Sequence, residues 1–195
     1  MMLEELTTPT TAKLPIREFA DHLRLGSGFS DDGSEDAVLE VFIRSALAAI
    51  EARIGKALIK RSFSWVVTRW FEVDGQALPI APVREITSVT LTAANGSTVV
   101  VDPASYRLET DIQRSKLAAT GSMLTSIPKG GSAEVVFDAG FGAWALVPAD
   151  LKQAVMLLAA SYYENRASET RVNGLPFGVS ALLEKYRPIR IGGVR

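Results

Sequence analysis

Residues 35–67 read EDAVLEVFIRSALAAIEARIGKALIKRSFSWVV, and the fold turns on how this stretch changes period. Its first part is helical in pattern. Leu39, Ile43, Leu47, Ile50 and Ile54 recur at spacings of four and three, while Val38, Phe42, Ala46 and Ala49 widen the apolar stripe. Ser34 is the expected N-cap. Glu35 and Asp36 follow it in the first turn, where the helix dipole favours carboxylates. Gly55 is placed to end the helix in the left-handed conformation. From Ile59 the period drops to two: Ile59, Phe63, Trp65 and Val67 alternate with Lys60, Ser62 and Ser64, as in a half-buried strand.

Downstream, strand signals continue. Ile86 to Leu91 places Val89 and Leu91 on one face, and Asn95-Gly96 is the best hairpin signal in the chain, with Thr98 to Val101 returning. Tyr106-Arg107-Leu108 and Ser115-Lys116-Leu117 read as short strands. Ala133, Val135 and Phe137 alternate with Glu134 and Asp138 before Gly140 and Gly142 break the sheet. Helix returns at Pro148, with Leu151, Val155, Leu158 and Tyr162 on one face, and a short last helix carries Val179, Leu182, Leu183 and Tyr186. Upstream, residues 1–14 read as an extended arm. A short helix over about 15–25 presents Ile16, Phe19 and Leu23, and Gly26-Ser27-Gly28 stops it.

Helices, then strands, then helices predict an α+β chain. The expected architecture is a helical body, two long packed helices with short ones beside them, interrupted by an antiparallel β insertion. Residues 1–58 and 147–195 form that body, 59–146 the insertion, and 187–195 a flexible C-terminal tail.

Composition excludes much chemistry. Among 195 residues there is no Cys and one His, His22. Disulfides, thiol nucleophiles and thiolate zinc sites are absent, and histidine triads have no material. Lys and Arg number 21 against 22 Asp and Glu, which argues against a dedicated nucleic-acid binder. Met1-Met2-Leu3-Glu4-Glu5-Leu6 has no basic or apolar leader pattern, and the apolar run Ala154 to Ala160 falls far below the ~20 residues of a membrane span. The expectation is a protein kept in the cytosol or in a particle assembled there, with no membrane partner.

Candidate chemical residues each have a plain structural reading. His22 on its short helix lacks a nucleophile or carboxylate pattern beside it and reads as a surface histidine. Asp102, Asp111 and Asp138 lie near strand ends, where aspartates form turns. Trp65 and Trp70 would suit a stacking platform, but an odd spacing puts them on opposite faces of one strand. No catalytic, cofactor-binding or metal-binding residue is assigned, and no cofactor is expected. Charge is more informative. Residues 1–55 hold ten acidic against five basic side chains, whereas residues 171–195 hold five basic against one acidic. That asymmetry suits a head-to-tail contact between copies, or a basic tail docking an acidic partner.

One resemblance spans about residues 15–188. It rests on His22-Leu23-Arg24-Leu25; Glu35-Asp36 opening a helix with Ala46 and Glu51; Gly55-Lys56-Ala57-Leu58-Ile59; and Leu78-Pro79-Ile80-Ala81-Pro82-Val83 before Ile86-Thr87-Ser88-Val89-Thr90. It continues through Phe137-Asp138-Ala139-Gly140-Phe141-Gly142, Val147-Pro148, Tyr163-Glu164-Asn165-Arg166, Leu175-Pro176-Phe177-Gly178-Val179 and Leu182-Leu183-Glu184-Lys185-Tyr186-Arg187. In order and spacing these pieces resemble the head–tail connector (adaptor, or head-completion) family of tailed bacteriophages and gene transfer agents.

The resemblance implies a structural protein, not an enzyme. Such adaptors form a ring of about twelve copies between a portal and the stopper and tail proteins, around a channel through which DNA passes without specific binding. The implied location is the head–tail interface of a virion or phage-like particle. Two expectations follow from charge and composition. The portal-binding segment is the basic C-terminus: Tyr186, Arg187, Arg190, Ile191 and Arg195. The ring interface uses Glu35, Asp36, Glu40, Arg44 and Glu51 against a neighbour's basic surface. The rival reading is a carbohydrate- or ligand-binding β module with helical flanks, which needs exposed aromatics such as Trp65 or Trp70 on one sheet face. An enzyme would need converging carboxylates.

Overall fold

The structure, a computed structural model, describes residues 2–25, 35–166 and 175–187. The chain divides into two units, Met1–Thr8 with Ile59–Phe141, and Pro9–Leu58 with Gly142–Arg195.

The first unit is built from strands β1 (Met2–Glu5), β2 (Arg61–Val67), β3 (Gly75–Ala77), β4 (Val83–Thr92), β5 (Thr98–Val100), β6 (Tyr106–Glu109), β7 (Lys116–Ala119) and β8 (Ser132–Ala139). They form two antiparallel sheets, one ordered β1-β2-β8-β4-β5 and one ordered β3-β7-β6. The period-two pattern sets the faces. Register aligns Phe63 with Phe137, Trp65 with Val135, and Val67 with Ala133, so the apolar residues of β2 and β8 share one buried face. Val89 and Leu91 of β4 continue it opposite Val135 and Ala133. The Phe63 and Phe137 rings stack at 5.8 Å between centroids. The other face is polar: Ser62 Oγ donates to Asp138 Oδ1 and Ser64 Oγ to Glu134 Oε1, both at 2.6 Å.

Asn95-Gly96 turns the hairpin from β4 to β5. Gly96 has a φ of +85°, and Asn95 Oδ1 accepts hydrogen bonds from the N–H and hydroxyl of Ser97. After β8, Gly140 adopts a φ of +128°. A Cβ there would lie 2.7 Å from the backbone of Ile59 and Lys60.

The second unit contains helices α1 (Ile16–His22), α2 (Asp36–Ile54), α3 (Ala149–Glu164) and α4 (Phe177–Leu183). Helix α2 packs on α1 and α3, and α3 packs on α4. From α2, Leu39, Ile43, Ala46, Leu47, Ile50 and Ile54 are buried; α3 contributes Leu151, Ala154, Val155, Met156, Leu158 and Ala159. Burial of each large aliphatic side chain stabilises by about 1.5–3 kcal/mol. Phe42 and Tyr163 meet edge to face at 5.6 Å between centroids. Gly55 ends α2 with a φ of +65°, and the Glu51 carboxylate accepts a hydrogen bond from the Leu58 N–H at 2.6 Å. Pro148 sits one residue before α3 and not in its first turn. Ser34, Gly26-Ser27-Gly28 and the tail over 188–195 lie outside the described residues.

These elements correct the expected architecture. The protein is mixed α/β, with two antiparallel sheets and eight strands against four α-helices among the described residues, and not a helical body carrying a small β insertion. Two physical causes account for the difference. Residues 2–5 are not a free arm: they pair with β2 as an edge strand, Leu3 opposite Trp65, and the Leu6 N–H donates to the Ser62 carbonyl at 2.9 Å. The short strands also split. β6 and β7 leave the main sheet and recruit Gly75–Ala77 as a third strand, a segment with no β-branched residue to announce it.

Candidate functional site

The chemical candidates do not converge into a site. Asp102 Oδ1 accepts from the Ala104 N–H, and Asp111 Oδ1 from the N–H groups of Gln113 and Arg114, so both are turn formers. Asp138 lies inside β8 and binds Ser62 and, at 2.9 Å, the Lys60 ammonium. Burial opposes its charge, but those two partners outweigh burial and hold the carboxyl below its usual range. His22 is exposed at the end of α1. Among the described residues no group of three or more His, Cys, Asp or Glu is placed to hold a metal ion. Nor does any described helix have the length and apolarity to cross a membrane.

The tryptophans do not form one platform. Trp65 is buried in β2, whereas Trp70 lies beyond that strand and donates its indole N–H to the Thr125 carbonyl at 2.9 Å. Trp70 helps line an open groove of about 290 Å³ with Phe71, Val73, Met123, Leu124 and Ile127. Phe71, Val73 and Met123 are exposed, and the Arg69 guanidinium lies 5.2 Å from the centre of the Phe71 ring. The Phe71-Glu72-Val73 alternation is the sequence signal that marks this surface. It carries no strand, so a search for periodic elements passes over it.

The remaining candidates are surfaces. Glu40 is bound on its own helix by Arg44 at 2.7 Å, and Thr11 donates to the same oxygen at 3.2 Å. The Arg44 hydrogen bond holds the Glu40 carboxyl below its usual range. Arg44 also donates to the Pro9 carbonyl at 2.9 Å, tying the chain before α1 to α2. Glu51 is engaged at the Leu58 N–H. Of the five expected interface residues, Glu35 and Asp36 present the exposed carboxylates, at the N-terminus of α2.

At the C-terminal end, Tyr186 is buried and donates its hydroxyl proton to Asp150 Oδ1 at 2.7 Å, while Lys185 Nζ lies 2.5 Å from Asp150 Oδ2. Burial disfavours the Asp150 charge. The hydrogen bonds from Lys185 and Tyr186 outweigh it and hold the carboxyl below its usual range. Arg187 is exposed and pairs with Glu184 at 3.2 Å. Arg190, Ile191 and Arg195 lie outside the described residues. Three side chains thus pin α3 to the turn Glu184–Tyr186, immediately before the basic segment.

Two apolar edges belong to no expected set. β1 exposes Met2 and Leu3 on one side of the five-stranded sheet, and β5 exposes Val99 and Val100 on the other, both more than 60 % accessible.

No family model matches the chain, and no curated protein matches it. Solved structures do. A chain in the neck of an empty gene transfer agent (GTA) particle, computed with C6 symmetry, is 49 % identical over 100 % of both chains with a TM-score of 0.91. A chain in the virion of a native GTA particle is 49 % identical, covering 100 % of this chain and 99 % of that one, with a TM-score of 0.88. One in the neck of a native GTA particle computed with C12 symmetry is 45 % identical over both full lengths, with a TM-score of 0.86. Identity of that order along the whole length carries the fold and the assembly role together: the chain belongs to the head–tail connector family of tailed bacteriophages and gene transfer agents.

Proposed function

We propose that this chain is a neck subunit of a phage-like particle, forming a ring of about twelve copies between the portal and the stopper and tail proteins, around the DNA channel. The observation that carries the reading is full-length similarity to chains in particle necks of sixfold and twelvefold symmetry. Work of this kind is done by surfaces, which agrees with acidic and basic groups spent on local pairing in place of a shared pocket. DNA passes without specific binding, since the chain carries 21 basic against 22 acidic residues and has no strong basic field to stall it.

The C-terminal segment is the portal-side contact in this reading. Tyr186, being buried, is its anchor. Arg187, Arg190, Ile191 and Arg195 make the contact. Glu35 and Asp36 supply the polar part of the contact between neighbouring copies, with Glu40, Arg44 and Glu51 shaping the helix that presents them.

The test is co-expression with the portal protein of the same particle, followed by electron microscopy of the purified complex. A ring of this chain seated on the portal is expected. A portal that purifies bare, with this chain monomeric beside it, overturns the reading.

A further inference from the structure

We infer that neighbouring copies join through the two open edges of the five-stranded sheet, β5 of one copy against β1 of the next. The inference rests on the ring reading above and names the surface that closes it.

Neither edge pairs with another strand among the described residues, where the sheet begins at β1 and ends at β5. Their outward backbone groups follow from the register. Val101 N–H donates to the Val89 carbonyl and Ala93 N–H to the Ser97 carbonyl, so residues 97, 99 and 101 point their backbone groups at β4. Thr98 and Val100 therefore point theirs away from the sheet. On the opposite side, the Leu6 bond to Ser62 directs residues 2, 4 and 6 inward and Leu3 and Glu5 outward.

Side chains favour the same contact. Register places Leu3 beside Trp65 and Val99 beside Leu91, so both belong to the apolar face that forms the unit's core. Yet Leu3 is 41 % and Val99 65 % exposed. Each is an apolar row that stops in solvent. Sheets normally guard such edges with Lys, Pro or a bulge. β5 reads Thr-Val-Val: it is short, but it carries no charge, Pro or bulge, and the irregularities of the sheet fall between β4 and β8 instead. On β1, Glu5 is neutralised by Arg61 at 2.9 Å.

Symmetry selects the occupant. Pairing β5 with a second β5 needs a twofold axis and stops at two copies. Successive copies in a sixfold or twelfold ring are related by a much smaller turn, which brings together two different surfaces of the same chain. The opposite edges of one sheet are such a pair: each has what the other lacks, and the series continues until it closes.

The natural absence of cysteine allows a direct test. The full chain carrying both Leu3→Cys and Val99→Cys, assembled on the portal and treated with a short bis-maleimide, should give a ladder of multimers on a denaturing gel. Either substitution alone should stay monomeric. Val100→Pro removes an outward N–H and no bond to β4, so rings should be lost while the isolated chain keeps its circular dichroism and melting temperature. The double-cysteine ladder keeps the test decisive should that proline unfold the hairpin. Rings of the unmodified chain, with no ladder from the double variant, overturn this contact and leave the ring reading standing. Dimers from Val99→Cys alone overturn it in favour of a twofold edge. Absence of any ring from the unmodified chain overturns both.

Discussion

Gly140 and Tyr186 show what single residues contribute. Gly140 combines a φ of +128° with backbone on its Cβ side, so Gly140→Ala must move Ile59 and Lys60 away from the end of β8. We expect a loss of more than about 3 kcal/mol in urea unfolding. Gly55→Ala, at a φ of +65° with open space around it, should cost only about 1 kcal/mol. Tyr186→Phe removes one donor to Asp150 and should cost about 1 kcal/mol at neutral pH. Its pH dependence has a definite sign. Because the folded Asp150 carboxyl titrates below its unfolded value, its contribution is complete above the ordinary carboxylate range. It is lost as pH falls through the folded value, below about pH 4. Stability curves of Tyr186→Phe and the parent should therefore converge in acid; curves that stay parallel until the fold is lost would sink the Asp150 assignment. The glycine was legible as a sheet break from its neighbours alone. The Asp150–Tyr186 bond was not, because nothing local records a partner 36 residues away.

Among elements, those with strong internal periodicity were readable and those made by a neighbour were not. α2, α3, β2, β4 and β8 each repeat an apolar residue at their own period, and the buried faces follow it. Ile50→Ala, deep in α2, should cost about 2–5 kcal/mol by the same logic. β1 reads Met-Leu-Glu-Glu and β3 reads Gly-Gln-Ala, neither a β-forming pattern. β1 is a strand because β2 offers it an edge. β3 is one because β7 offers it an edge, Gly75 opposite Ala118 and Gln76 opposite Leu117. The dependence of β1 on its partner is testable. Deleting residues 2–6 uncovers the apolar strand β2 and should raise light scattering on mild heating; a deletion variant as soluble as the parent would show that β2 needs no cover.

For the whole molecule, the near-neutral total conceals an acidic start and a basic end. The connector role was legible in the order of many weak motifs, and the surfaces that carry it were not. Apolar edges such as Val99 look like ordinary strand until the sheet order shows that, among the described residues, no further strand pairs with them. Raising salt from about 0.05 to 0.5 M should weaken ring assembly modestly, through Glu35 and Asp36, and leave rings countable in micrographs. Full dissolution would assign the ring to charge alone. Removing residues 188–195 should leave subunit folding intact and abolish portal co-purification; normal co-purification would move the portal contact elsewhere. One feature also limits how such a protein can be rebuilt. The first strand of the sheet unit is separated from the rest by the whole stretch Pro9–Leu58. The sheet is therefore no cassette. A gene fragment for 59–141 omits its own border, and a swap of β regions between relatives must exchange two separate pieces of gene to remain soluble.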